Sequence, residues 1–246
     1  MNALIRSELR KLCTTRWFPI TVAVTMLVGP VGAFANIFAG STETKSTLGT
    51  NLTIRHILST SAMTTLVALA IGISMAASEY RHGTSIPTFL ITPKRRSVII
   101  TKVVTSAGIG ALIGGAAFAI TVAVAAPALA RQGVHHLTGD VPQMLVGAIV
   151  TGALYGVVGV ALGAITRSTV IAIVGALGWA FVVEANLLAV ALPNIGKWLP
   201  TGANLAITRT GNFAAMLTPS IALVVLSAWS AVATSLAIRI TSTRDA

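Results

Sequence analysis

Six stretches of the chain are apolar on every side and free of Lys, Arg and Asp: Trp17 to Ala39, Ile57 to Ser78, Val103 to Ala130, Met144 to Ile165, Val170 to Leu192 and Met216 to Ile238. A helix needs about 20 apolar residues to cross a hydrocarbon core about 30 Å thick, so each run predicts one transmembrane helix. Buried helices of soluble α-proteins are shorter and amphipathic, with polar residues returning every three or four positions. These runs carry no such stripe, and only the fifth holds an ionisable side chain, Glu184.

The polar segments between the runs carry their own signals. Ahead of the first run, Leu4, Ile5, Leu9 and Leu12 recur at helical spacing while Arg6, Arg10 and Lys11 occupy the other faces. That pattern predicts an amphipathic helix lying along the membrane interface or an ordinary positive-inside flank, and either anchors the first span. After the second run, Thr84 or Ser85 can cap a helix, Pro87 is tolerated in a first turn, and Pro93 disfavours continuation. A helix of about two turns fits there, with Ile86, Phe89 and Leu90 spaced to form one apolar face. Read without that helix, the segment is a basic loop held to anionic lipid. The expected fold is an all-α integral membrane protein: six transmembrane helices, an N-terminal interfacial helix, and a single domain over residues 1–246.

Composition agrees and charge adds direction. Apolar residues make up 54% of the 246 and charged residues 9%, with a mean hydropathy of +0.86. Soluble domains carry about 25% charged residues, so a soluble enzyme or a free nucleic-acid binder is excluded in favour of a membrane protein. The net charge of +11 then reads as basic loops at a membrane surface. With the N-terminus in the cytoplasm, 12 of the 17 Lys and Arg fall inside, and both termini are cytoplasmic. Lys45, Arg55, Arg131, Lys197 and Arg209 remain outside, in three loops that also carry Glu43 and Asp140. The first run reaches an A-x-A pattern at Ala33-Phe34-Ala35, but the long leading segment containing Glu8 argues against a cleaved signal.

The chemistry of an enzyme is not assembled here. His56, His82, His135 and His136 all lie at or beyond the span ends, and the single Cys13 has no intrachain partner. Neither a Ser-His pair at membrane depth nor a metal-binding cluster emerges. The nearest stretch to a phosphate-cradling G-x-x-x-x-G-K-[ST] loop ends in Lys45-Ser46, with Ala39 and Thr44 where the glycines belong. ATP hydrolysis, if it powers the protein, is expected in a partner chain.

The run Glu79-Tyr80-Arg81-His82-Gly83-Thr84, followed by Thr92-Pro93, Arg95-Arg96 and Lys102, resembles the signature loop of ABC-2 type ABC transporter permeases. The six runs and the amphipathic start are similar to that family over essentially the whole chain. The resemblance implies the transmembrane subunit of an ABC exporter, with no catalytic site, metal or cofactor of its own. ATP and Mg would sit in separate ATPase subunits, and a second permease copy or paralogue would complete the assembly in the cytoplasmic membrane. It implies a cytoplasmic coupling loop over 79–102 whose coupling helix, at about Thr84 to Thr92, docks into the ATPase. Glu79, Arg81, Gly83, Thr84, Ile86, Phe89, Leu90, Pro93, Arg95, Arg96 and Lys102 are the implied coupling residues. Arg81, Arg95, Arg96 and Lys102 would hold the flanks against lipid phosphates or acidic ATPase surface. The stretch from Lys197 to Ala203 is similar to the external region where these permeases bend short helices back into the outer leaflet. There Trp198 supplies an interfacial aromatic, and Pro200 and Gly202 are expected to break the helix; a plain exposed loop also fits these residues.

The residues alone also admit a secondary transporter or a membrane scaffold. Against these stand the lack of a set of buried charges and of a clear internal repeat. Glu184, about 21 Å along its span from Val170, is expected to face protein or water, because lipid exposure of a carboxylate is costly. With Asn186 it is a candidate for a translocation path or for a polar contact inside the bundle. Gly147, Gly152, Gly156, Gly159 and Gly163 of the fourth run, and Gly110 and Gly114 of the third, predict close helix packing.

Overall fold

The computed structural model describes residues 2–15, 17–40, 47–81, 95–186, 192–209 and 216–243. Helix α1 spans Asn2–Thr14 and α2 Trp17–Phe38. The second run is a composite: α3 (Asn51–Leu58), a 3₁₀ segment (Ser59–Met63) and α4 (Thr64–Arg81). After it come α5 (Arg95–Arg131), α6 (Val141–Thr166) and α7 (Thr169–Gly178), the last continuing into a π-helical segment, Trp179–Glu184. Two short helices follow, α8 (Pro193–Gly196) and α9 (Pro200–Ile207), before α10 (Pro219–Thr243). No strand occurs among the described residues.

Among the described residues, five helical stretches are long and apolar enough to cross a membrane: Trp17–Phe38, Asn51–Tyr80, Ser97–Arg131, Val141–Thr166 and Pro219–Thr241. The remaining predicted run, 170–192, supplies a shorter apolar helix, Thr169–Glu184, and residues 187–191 lie outside the described ones. Apolar side chains such as Val24, Leu27 and Val31 on α2, and Val224 and Val232 on α10, face outward. Such faces suit hydrocarbon rather than water. These are the marks of a multi-pass membrane protein.

Several boundaries move for local reasons. Thr50 caps α3 by accepting the Thr53 N–H. The tight 3₁₀ turn is lined by hydroxyls that donate back to the preceding turn, Ser59 to the His56 carbonyl, Thr60 to Ile57 and Ser61 to Leu58. Helix α5 starts at Arg95 rather than near Val103 and has 37 residues. At 1.5 Å per residue it is about 55 Å long, far more than a bilayer core needs, so it projects beyond it. The segment between α4 and α5 is therefore only 82–94, shorter than the 79–102 loop expected.

Helix α6 is the centre post, packed on α4, α5, α7, α9 and α10. Its glycines make that position possible. A methyl group built on Gly152 would overlap the Gly110 carbonyl oxygen of α5, and one on Gly159 would overlap the Leu69 carbonyl of α4. Backbones this close also put a carbonyl within reach of a side chain: the buried Ser106 hydroxyl of α5 donates to the Gly156 carbonyl at 2.9 Å. Around this post lie Leu69, Ile73, Tyr155 and Leu226 at mid-height, with Ile54, Ile57, Leu129 and Met144 towards one end. At the other end Ala76, Ala164 and Ala237 bring α4, α6 and α10 together.

The short helices correct one expectation. Pro200 and Gly202 do not break a helix; Pro200 opens α9, where its missing N–H costs nothing, and Gly202 lies inside it. A Cβ at Gly202 would strike the Gly196 carbonyl, so glycine is what lets α9 fold back on α8.

Candidate functional site

Four charged side chains from three distant segments close into a ring at one end of the bundle. Lys102 of α5 donates to Glu8 of α1 at 2.7 Å and lies 2.9 Å from Glu79 of α4. Lys11 of α1 lies 3.0 Å from Glu8 and 2.8 Å from Glu79. Lys102 has a further acceptor in the Met75 carbonyl at 3.1 Å, and its side chain is only 6% exposed. Two acids and two bases cancel, which is what allows Glu8, Glu79 and Lys102 to be buried while Lys11 stays half exposed. Burial pushes the Glu8 carboxyl up, but the Lys102 charge and hydrogen bond, joined by those of Lys11, outweigh it and hold the group below its ordinary value. Burial pulls Lys11 down, while its bonds to Glu79 and then Glu8 outweigh that and keep it above its ordinary value.

The ring sits at the two roots of the 82–94 segment, with Glu79 two residues before the end of α4 and Lys102 two turns into α5. It unites two expected coupling residues with two that the sequence did not single out, Glu8 and Lys11. Lys102 faces these carboxylates rather than lipid phosphate or a partner surface, because the acidic charge it needs is already inside the chain. Arg81, Arg95 and Arg96 lie in the adjoining helical turns, their side chains outside the described residues. Gly83, Thr84, Ile86, Phe89, Leu90 and Pro93, with the expected coupling helix, also lie outside them. Beside the ring, the Arg167 guanidinium sits 5.0 Å over the Tyr80 ring, tying the α6–α7 link to the end of α4.

At the opposite end Asp140 binds both Arg55 and Arg209, and Thr138 donates to the same carboxylate at 3.1 Å. These basic residues looked scattered over separate loops; one acid gathers them. Burial pushes the Asp140 carboxyl up, but the hydrogen bonds and charge of Arg55, with Thr138 and Arg209, hold it below its ordinary value.

Glu184 lies far from both sets. It ends the π segment and is 2% exposed, while Val182, Ala185 and Asn186 around it are exposed. Its carboxylate accepts the Thr201 N–H from the first turn of α9 at 2.6 Å. Asn186 does not join it; its amide donates back to the Val182 carbonyl on the outer face. Glu184 borders a cavity of about 520 Å³ lined by Leu69, Tyr155, Leu162, Trp179 and Trp229, among others. No family model and no curated protein matches the sequence.

Proposed function

We propose that the chain is the transmembrane permease subunit of an ATP-driven ABC exporter of the ABC-2 type, working with separate ATPase subunits. The observation that carries this reading is the ring of Glu8, Lys11, Glu79 and Lys102. It binds the interfacial helix α1 to both helices that flank the segment resembling the coupling loop. A push on residues 82–94 is then delivered to α1, α4 and α5 together, because none of the three shifts alone without stranding a buried charge. In this reading the ring end faces the cytoplasm, residues 170–192 complete a sixth crossing, and a second permease copy or paralogue lies alongside. The substrate is hydrophobic or amphiphilic, and ATP with Mg binds only the partner. ATP-driven closure need bias the pair of conformations by only a few kcal/mol.

The test is co-purification with candidate ATPase subunits, followed by ATP turnover in lipid nanodiscs. The wild-type chain is expected to bind an ATPase subunit and alter its turnover, and Phe89→Asp with Leu90→Asp to abolish the effect while the chain still folds. A chain that captures no ATPase, or whose coupling ignores both substitutions, overturns the reading.

A further inference from the structure

A carboxylate at 2% exposure beside an apolar cavity raises the question of its counter-charge. Among the described residues no Lys, Arg or His nitrogen lies within 4.0 Å of Glu184. The contrast with Glu8, Glu79 and Asp140 is direct, since each of those has two basic partners. What Glu184 does receive is one backbone N–H, from Thr201. One such bond positions the group without neutralising it.

The space in front of it has the size and character of a ligand site. About 520 Å³ falls within the range that holds drug-sized molecules, and such sites join an apolar wall to a few fixed polar groups. Leu69, Leu162 and Ile171 supply the wall. Trp179 and Trp229 border the same space, and indole faces attract cations as well as apolar bodies.

We infer that this cavity is a binding site for lipophilic cations, molecules with an aromatic or alkyl body and one positive charge, with Glu184 as the counter-ion. The apolar body displaces lipid or water from the Leu and Trp walls, and the charge answers the one carboxylate that, among the described residues, has no basic partner. A neutral body of the same size gains the first term only, so the site selects for charge. Calling this ligand a transported substrate rests on the permease reading; binding itself does not.

The probe is tetraphenylphosphonium, with the isoelectronic tetraphenylsilane as its neutral counterpart, measured by equilibrium dialysis against the full chain in nanodiscs, with empty nanodiscs subtracted. The wild-type chain is expected to hold the cation more tightly than the neutral compound. Glu184→Gln, which keeps an oxygen for the Thr201 N–H, is expected to weaken the cation about tenfold or more and leave the neutral compound unchanged. Leu162→Trp, which fills the cavity and keeps the carboxylate, is expected to cut binding of both. Equal binding of the two probes by the wild-type chain, a measurement that needs no variant, overturns the inference. So does cation binding that survives Leu162→Trp. Glu184-dependent binding by a chain that captures no ATPase would leave the site standing and remove the permease reading; an ATPase-coupled chain indifferent to the cation would do the reverse.

Discussion

The two ends of the bundle are held by charges in two different ways. At one end four side chains alternate in sign, two acids and two lysines, with the Lys102 side chain only 6% exposed. At the other a single acid, Asp140, draws in two arginines whose side chains are 33% and 35% exposed. Asp140 pins the short helix α3 and the turn after α9 where water still reaches, and ion pairs there contribute up to about 1 kcal/mol each. The ring joins whole helices in a drier setting, where its strength depends on every member being present. One end is a clasp on short peripheral segments, and the other is a joint between α1, α4 and α5. That difference is why the ring, and not the clasp, is the place to look for force transmission.

Removing a member of the joint is the most severe way to break the comparison. Lys102→Ala takes the buried base from Glu8 and Glu79 and leaves both to the half-exposed Lys11, and loss of one partner from a buried pair costs about 3 to 5 kcal/mol. Thermal unfolding in detergent is expected to show that loss, together with release of α1, read as new protease cleavage between residues 2 and 15. Asp140→Ala should be milder, about 1 kcal/mol in the same assay, because its partners can turn to water. It should open the Asp140 end to protease and leave α1 protected. Equal losses at the two sites would mean that the ring is no joint.

The sequence made the helices legible far better than the joint. The long apolar runs announced α2, α4, α5, α6 and α10, since a run of such residues has no other stable form in a membrane. The fifth run was less readable because a π segment and Glu184 interrupt it, and hydropathy does not register a change of helix type. Helix α1 shows the limit most clearly. Periodicity gave Glu8 no place in the core, yet it is only 7% exposed. Glu8 turns inward because Lys102 waits 94 positions away, and a local pattern holds no trace of such a partner. Arg55, Asp140 and Arg209 were hidden in the same way, by separations of 85 and 69 positions. The glycines of α6 were the exception, since a missing side chain signals close approach wherever its neighbour lies in the sequence.

Alkali gives the finest test of the difference, because the two ends use different bases. Glu8 and Asp140 are both held below their ordinary values of 4.5 and 3.8. Their contribution is complete above those values and is lost as pH falls through the folded ones, so acid loosens both ends alike. Lys11 is held above its ordinary value of 10.5. Its contribution is complete below 10.5 and is lost as pH rises through the folded value. The clasp has only arginines on its basic side, and these keep their charge. Raising the pH past 10.5 should therefore loosen the ring end alone. Because Lys11 is half exposed, the effect should be a partial one, the smallest of those argued here. Spin labels on the native Cys13 and on an Ile100→Cys substitution would report a broadened distance across the ring. A second pair, Leu52→Cys with His136→Cys in a chain carrying Cys13→Ser, would keep its distance across the clasp. Broadening at both ends would show that alkali is unfolding the bundle, and broadening at neither would show that Lys11 contributes nothing to the joint.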